Sequence, residues 1–238
     1  FDTRKTLLEY DDISNEQREI IYNQRNQILN LINFDETIRS MINEIAVNIA
    51  KSHLSLNQIG ENRDLSHLIE FLNVEFLLNV NESSFIKSGN DFETIVKIIN
   101  ECILTKINDN MTLINNSDKQ ELQRNIFLTV IDEDWRSHLN AMDYLRQGIG
   151  LRGYAQKNPK NEYKRESFEM FEEMLYTNNY EILKILSRIK IKGNASISST
   201  KSDNDLSQNI KSTTTEKDIS RNPSASLFIS LLKRSRGN

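Results

Sequence analysis

The chain has 238 residues, 37% apolar and 27% charged, enough for one large core or two small ones, and its net charge of −4 gives no overall reason to bind a polyanion. A single cysteine, Cys102, excludes an internal disulfide and a cysteine-rich metal site. Two prolines and seven glycines leave few breakers, so long helices are expected, while no apolar run approaches the roughly 20 residues that span a bilayer. No signal peptide is visible and the first residue is Phe1, which reads as a piece of a longer protein from a reducing compartment.

Residues 1–33 carry Leu7, Tyr10, Ile13, Ile20, Ile21, Ile28, Leu31 and Ile32 at three- and four-residue steps. That is one amphipathic helix, with Arg18, Glu19 and Arg25 on its wet side. Residues 34–116 hold shorter helical patterns, best over Ile38–Leu54, Leu65–Val80 and Phe92–Ile107, separated by Gly60, by Asn81–Ser84 and by Gly89-Asn90. They predict a small helical subdomain with its own core.

Ser117 followed by Gln120 fits a capping box opening the next helix. Leu122, Ile126, Val130, Trp135, Leu139, Met142 and Leu145 line its apolar face as far as Gln147, a length of roughly 45 Å. Gly148, Gly150 and Gly153 interrupt it, and Asn158-Pro159 restarts a helix whose face runs through Phe168, Phe171, Met174, Leu175, Ile182, Leu186 and Ile189. Two long helices joined by a loop of about ten residues must run antiparallel to bury those faces, so residues 117–190 predict a helical hairpin. Residues 191–238 are rich in Ser, Thr, Asn and Lys without periodicity and read as a disordered tail. The fold class expected is all-α.

Chemistry is scarce. There is no Walker-type loop, dinucleotide fingerprint or serine elbow. His53, His67 and His138 stand apart without a partner at ligand spacing, so packing or surface placement is expected of each. Asp132-Glu133-Asp134 fans out by roughly 100° per residue and reads as a solvated edge. Asp11-Asp12 reads the same way, or as a docking pair, and Arg165 with Glu169 as a weak surface pair. Gly148-Ile149-Gly150, ringed by Arg146, Arg152, Lys157, Lys160, Lys164 and Arg165, invites a nucleic-acid reading. A phosphate-binding hairpin needs its helix to start at once after the second glycine, and here it is delayed by about eight residues.

The segments "LLEYDDISNEQREIIYNQRNQIL" and "WRSHLNAMDYLRQGIGLRGYAQKNPKNEYKRESFEMFEEML" closely resemble the C-terminal part of SecA, the bacterial ATPase that drives preproteins through the Sec channel. The resemblance covers about residues 1–190. It implies that 1–33 belong to the long scaffold helix, 34–116 to the helical wing, and 117–190 to a two-helix finger whose tip meets channel and substrate. By position the tip loop carries Ile149, Leu151, Arg152, Gly153 and Tyr154, with Tyr154 as the bulky tip residue. The implied partners are the Sec protein-conducting channel, preproteins, the motor domains of the parent chain, acidic phospholipid and a second copy of the protein; nucleic acid is not expected. The implied location is the cytoplasm and the cytoplasmic face of the bacterial inner membrane.

ATP and magnesium are implied for the parent, but its nucleotide-binding domains have no counterpart in this sequence, so no catalytic residue is assigned. Arg221-Asn222-Pro223 resembles the approach to the family's C-terminal zinc motif, yet no cysteine or histidine follows, and no zinc or other metal is expected. The rival reading is a free-standing helical binding module for nucleic acid or a partner protein. The missing phosphate loop makes one outcome definite: titrated with ATP in a calorimeter, the 238-residue chain should show no saturable binding at micromolar concentrations.

Overall fold

Every fourth and third residue of the first helix turns inward. In the computed structural model, which describes residues 2–54, 65–86, 91–150 and 158–190, helix α1 (Asp2–Asn30) buries Tyr10, Gln17, Ile21, Gln24 and Ile28, with Ser14 half-buried between them. That four-three alternation is the spacing of a coiled-coil seam. Six further helices follow: α2 (Asp35–His53), α3 (Ser66–Phe76), the short α4 (Glu82–Ile86), α5 (Phe92–Met111), α6 (Asn116–Gly148) and α7 (Pro159–Arg188). No strand occurs among the described residues, and the fold is all-α. The tail expected over 191–238, with its missing zinc motif, lies outside the described residues, as do Leu151, Arg152, Gly153 and Tyr154.

Helices α6 and α7 are antiparallel. Ile149 meets Tyr163 at one end, His138 faces Phe171 in the middle, and α7 ends near α5, where Asn110 donates to the Leu186 and Ser187 carbonyls at 3.1 and 2.8 Å. Helix α1 lies against both, antiparallel to α6. Their pairing runs from Arg146–Asp11 (2.9 Å) through Arg25–Asp132 (3.0 Å) to Arg124, which donates to the Leu31 carbonyl at 3.0 Å. That last bond satisfies one of the carbonyls left open where α1 stops.

The helices of residues 34–116 do not close a core alone. Helices α2 and α5 pair antiparallel, and α7 completes their packing with its second half. Asn179 donates to Glu44 at 3.2 Å, Tyr180 Oη to Glu75 at 2.8 Å, and Lys184 Nζ reaches the same carboxylate at 2.8 Å. Arg188 donates to the Val74 and Glu75 carbonyls at 2.7 and 2.9 Å, a cation seated on the C-terminus of α3. Beyond that end the chain turns through Leu77 and Asn79, both at φ 53°, and Asn73 clamps the turn by bonding both backbone groups of Val80.

Local signals placed the helices well, with four corrections. The cap of α6 is Asn115, whose side chain accepts from the Asp118 amide at 2.9 Å; Ser117 lies inside the first turn. An asparagine can cap as well as a serine, and here it comes two residues earlier. Glu82–Ile86, part of an expected separator, is helical. Ile32 is 77% and Phe168 49% exposed, because α1 has ended before the first and the second points away from the seam. A Cβ on Gly148 or Gly150 would meet nothing within 4 Å, so neither glycine is demanded by crowding.

Burial of Lys184 (7% exposed) on Glu75 gives a test. Burial lifts the Glu75 carboxyl, but the bonds from Lys184 and Tyr180 outweigh it and hold it below its ordinary range. Glu75→Leu leaves the buried ammonium only the more distant Glu181 at 3.8 Å and should cost about 3 kcal/mol in urea unfolding, whereas adding Lys184→Met should recover most of that loss. Equal losses in the single and double variants would refute this account of the α3–α7 contact.

Candidate functional site

At the loop end of the hairpin, Tyr10, Met142, Ile149 and Tyr163 form a closed apolar cluster, with Ile13 and Leu145 packed against it. The Tyr10 and Tyr163 rings lie 4.3 Å apart and tilted by 40°. Ile149, expected among the contact residues of the loop, is only 3% exposed. Its side chain is drawn inward by the two tyrosines and holds the base of the loop. Leu151, Arg152, Gly153 and Tyr154 follow it directly in the chain, outside the described residues.

Two arginines of the expected basic ring are paired within the chain. Arg146 binds Asp11, and Arg165 binds Glu162 at 2.7 Å and Glu169 at 3.2 Å. Asp11 thus pairs with the neighbouring helix α6, while the Arg165–Glu169 pair stands as expected, with Glu162 added. These pairs are half exposed and stabilise little, yet they offset the charge of two of the six basic residues of that ring.

Further down, the seam is polar. Gln17 (6% exposed) donates its amide to the Ser167 carbonyl at 3.0 Å, and its Oε1 lies 2.9 Å from Nε2 of His138. An amide oxygen only accepts, so His138 carries its proton on Nε2 and donates. The imidazole is stacked on Trp135 at 5.5 Å and faces Phe171 at 5.6 Å. Burial pushes its pKa down to about 4, so it is neutral at physiological pH. As expected, it is a packing histidine.

One turn along α6, Asp134 departs from the expected solvated edge. Its Oδ2 is buried without a hydrogen-bond partner; the same holds for Gln24 Oε1 and both polar side-chain atoms of Asn178. Burial, then Glu181 and Glu133, push the Asp134 pKa up to about 6. Asp132 departs too, gripped by Arg25 in a fork of 3.0 and 3.2 Å. Both corrections have one cause: α1 and α7 cover a helix edge that looks solvent-facing in isolation. The other polar members of the seam, Gln17, Ser167 and Asn178, were missed because an apolar count skips them. The four-three spacing of Tyr10, Ser14, Gln17, Ile21, Gln24 and Ile28 was the signal that could have found the glutamines.

A cavity of about 130 Å³ lies between α2, α5 and α6, lined by Asp35, Ile38, Arg39, Leu104, Ile107, Asn108 and Gln123. It is far below the roughly 300 Å³ at which ligand pockets begin. Its charged lining is one acid and one base, Asp35 and Arg39, and Asp35 is already paired with Lys119 at 3.2 Å. Among the described residues no group of three or more His, Cys, Asp or Glu is close enough to hold a metal, and no helix is long and apolar enough to cross a membrane.

Comparison with known proteins matches residues 1–190 to the family described as "SecA Wing and Scaffold domain". Similar relatives include the protein translocase subunit SecA of Buchnera aphidicola, 40% identical over 80% of this chain and 22% of the relative. That of Wigglesworthia glossinidia brevipalpis is 40% identical over 81% and 23%, and that of Neisseria meningitidis 38% over 82% and 21%. The chain thus spans little more than a fifth of these relatives.

The two inverted titrations oppose each other. Neutral His138 contributes stability that is complete above pH 6.5 and lost as pH falls towards 4. Protonated Asp134 contributes stability that is complete below pH 3.8 and lost as pH rises through about 6. Asp134→Asn removes only the second, so relative to the parent chain its stability should climb between pH 4 and 6, by about 1–2 kcal/mol after solvent screening. Trp135 fluorescence, quenched by a charged imidazole, should titrate near pH 4. A pH-independent difference, or a fluorescence midpoint near 6.5, would contradict these assignments.

Proposed function

Since the chain belongs to the SecA wing and scaffold family, we propose that it is the scaffold, wing and finger portion of a preprotein translocation ATPase. In this reading it does no chemistry. It carries motion from the rest of the parent, through α1, to the loop at the end of the α6–α7 hairpin. The observation that carries the reading is mechanical: two helices of 33 and 30 residues, antiparallel and braced along α1, have Ile149 packed in one cluster with the Tyr10–Tyr163 pair where α6 ends. A pole that is stiff along its length moves its tip when its base moves.

The loop residues Leu151, Arg152, Gly153 and Tyr154 would then be the ones presented to the protein-conducting channel and the translocating polypeptide. Tyrosine suits a tip that must meet many sequences, because its flat face and single hydroxyl contact a passing chain without demanding a particular side chain. ATP and magnesium would belong to the motor portion. Neither the sequence nor the small cavity between α2, α5 and α6, which holds one acid and one base, supplies a phosphate cradle, so no residue here is assigned to nucleotide. Acidic phospholipid and self-association stay within the proposal as partners of the parent. The nucleic-acid module is disfavoured by the pairing of Arg146 and Arg165 with the chain's own carboxylates.

The test uses the full-length parent motor. Tyr154→Ala should cut preprotein transport into vesicles at least about tenfold while basal ATPase persists, and Tyr154→Trp should keep most transport, since it preserves the aromatic face. Normal transport by the alanine variant, or a thermal midpoint lowered as for a lost core aromatic, would refute the tip assignment.

A further inference from the structure

A seam built on a four-three repeat has a weakness: sliding one helix by a turn places each seam residue on the next seam position. Apolar contacts penalise that slip only slightly, since one aliphatic side chain substitutes for another. A polar group that must find a partner penalises it strongly. Along α1 the seam positions 10, 14, 17, 21, 24 and 28 hold two glutamines seven residues apart, at equivalent places in the repeat. Only Gln17 is matched. Its amide and carbonyl are taken by α7 and α6 at 3.0 and 2.9 Å, whereas Gln24 Oε1 is left without a partner.

The components of the matched layer are nearly sealed from water: Gln17 is 6%, His138 5% and Ser167 0% exposed. Trp135 and Phe171 hold the imidazole in place, so Nε2 has one direction in which to donate. One side chain of α1 therefore reads the positions of both arms of the hairpin at once. We propose that Gln17 is the positioning residue of the finger: its bridge between His138 and Ser167 sets the axial register of the α6–α7 hairpin on the scaffold helix. Arg146–Asp11 and Arg25–Asp132 flank the layer but are half exposed, and a slipped seam can replace them with solvent. Loss of the layer leaves a bundle that still packs but no longer fixes where the loop end sits. The consequence for tip placement rests on the finger reading above; the register does not, and it is measured without transport.

The experiment uses the 238-residue chain with Cys102→Ser, so that introduced cysteines are the only thiols. Three pairs are compared by oxidation: Asp11→Cys with Arg146→Cys, in register, and Asp11→Cys with Asp143→Cys or with Gly150→Cys, one turn to either side. A side chain at Gly150 is accommodated freely. With Gln17 and His138 intact, the in-register pair should cross-link at least about tenfold faster than either slipped pair, the discrimination a buried polar layer provides. In Gln17→Leu/His138→Leu the three rates should converge, while the unfolding midpoint recovers most of what Gln17→Leu alone loses. Persistence of the single in-register pair in the double variant would overturn the proposal. So would a double variant less stable than Gln17→Leu alone, since the layer would then be holding the bundle together rather than choosing its register.

Discussion

Helix α7 must serve two cores at once, and the rest of the architecture follows from that. Its first half, from Tyr163 to Phe171, packs on α1 and α6; its second half, from Asn178 to Arg188, packs on α2, α3 and α5. A helix shared in this way cannot carry one apolar stripe with a solvated back. Lys184 and Ser187 are buried on it beside Leu183 and Leu186, and each needs a partner. Glu75 answers Lys184, and the Leu183 carbonyl answers Ser187 at 2.8 Å. Helices α2, α3 and α5 are thereby fastened to the same rod that forms one arm of the α6–α7 hairpin.

The polar middle of the three-helix seam is the second consequence. Buried unpartnered polar atoms cost roughly 1–3 kcal/mol each, so Gln24, Asp134 and Asn178 weaken adhesion where Gln17 and His138 specify alignment. The tyrosine cluster at the loop end and the shared core at the far end supply the adhesion instead.

Much of this was legible in the sequence. The three helical patterns of residues 34–116, the long pair around the glycines and the Asn158-Pro159 start were all visible as periodicity and capping chemistry. What was not visible has a physical reason in each case. Gln17 and His138 are polar residues at core positions, and hydropathy ranks them with the surface. Glu133 stays exposed as expected, Asp132 is half exposed on Arg25, and only Asp134 looks solvated until its Oδ2 is buried. Phe168 and Ile32 look like core until the helix phase and the end of α1 turn them outward. The buried place of Ile149 depends on Tyr10, far away in the chain. Residues 151–154, on which the contact assignment turns, are read from the sequence alone.

Shared use of α7 by both cores has a signature in hydrogen exchange. Leu183 is fully buried in the second half of α7, and Leu183→Asp places a charge there. The account predicts that amide protection falls together in α2, α5 and the second half of α7, because the three form one cooperative unit. Protection in α2 and α5 that stays at its original level while only the end of α7 exchanges faster would show a wing with a core of its own, and would contradict the account.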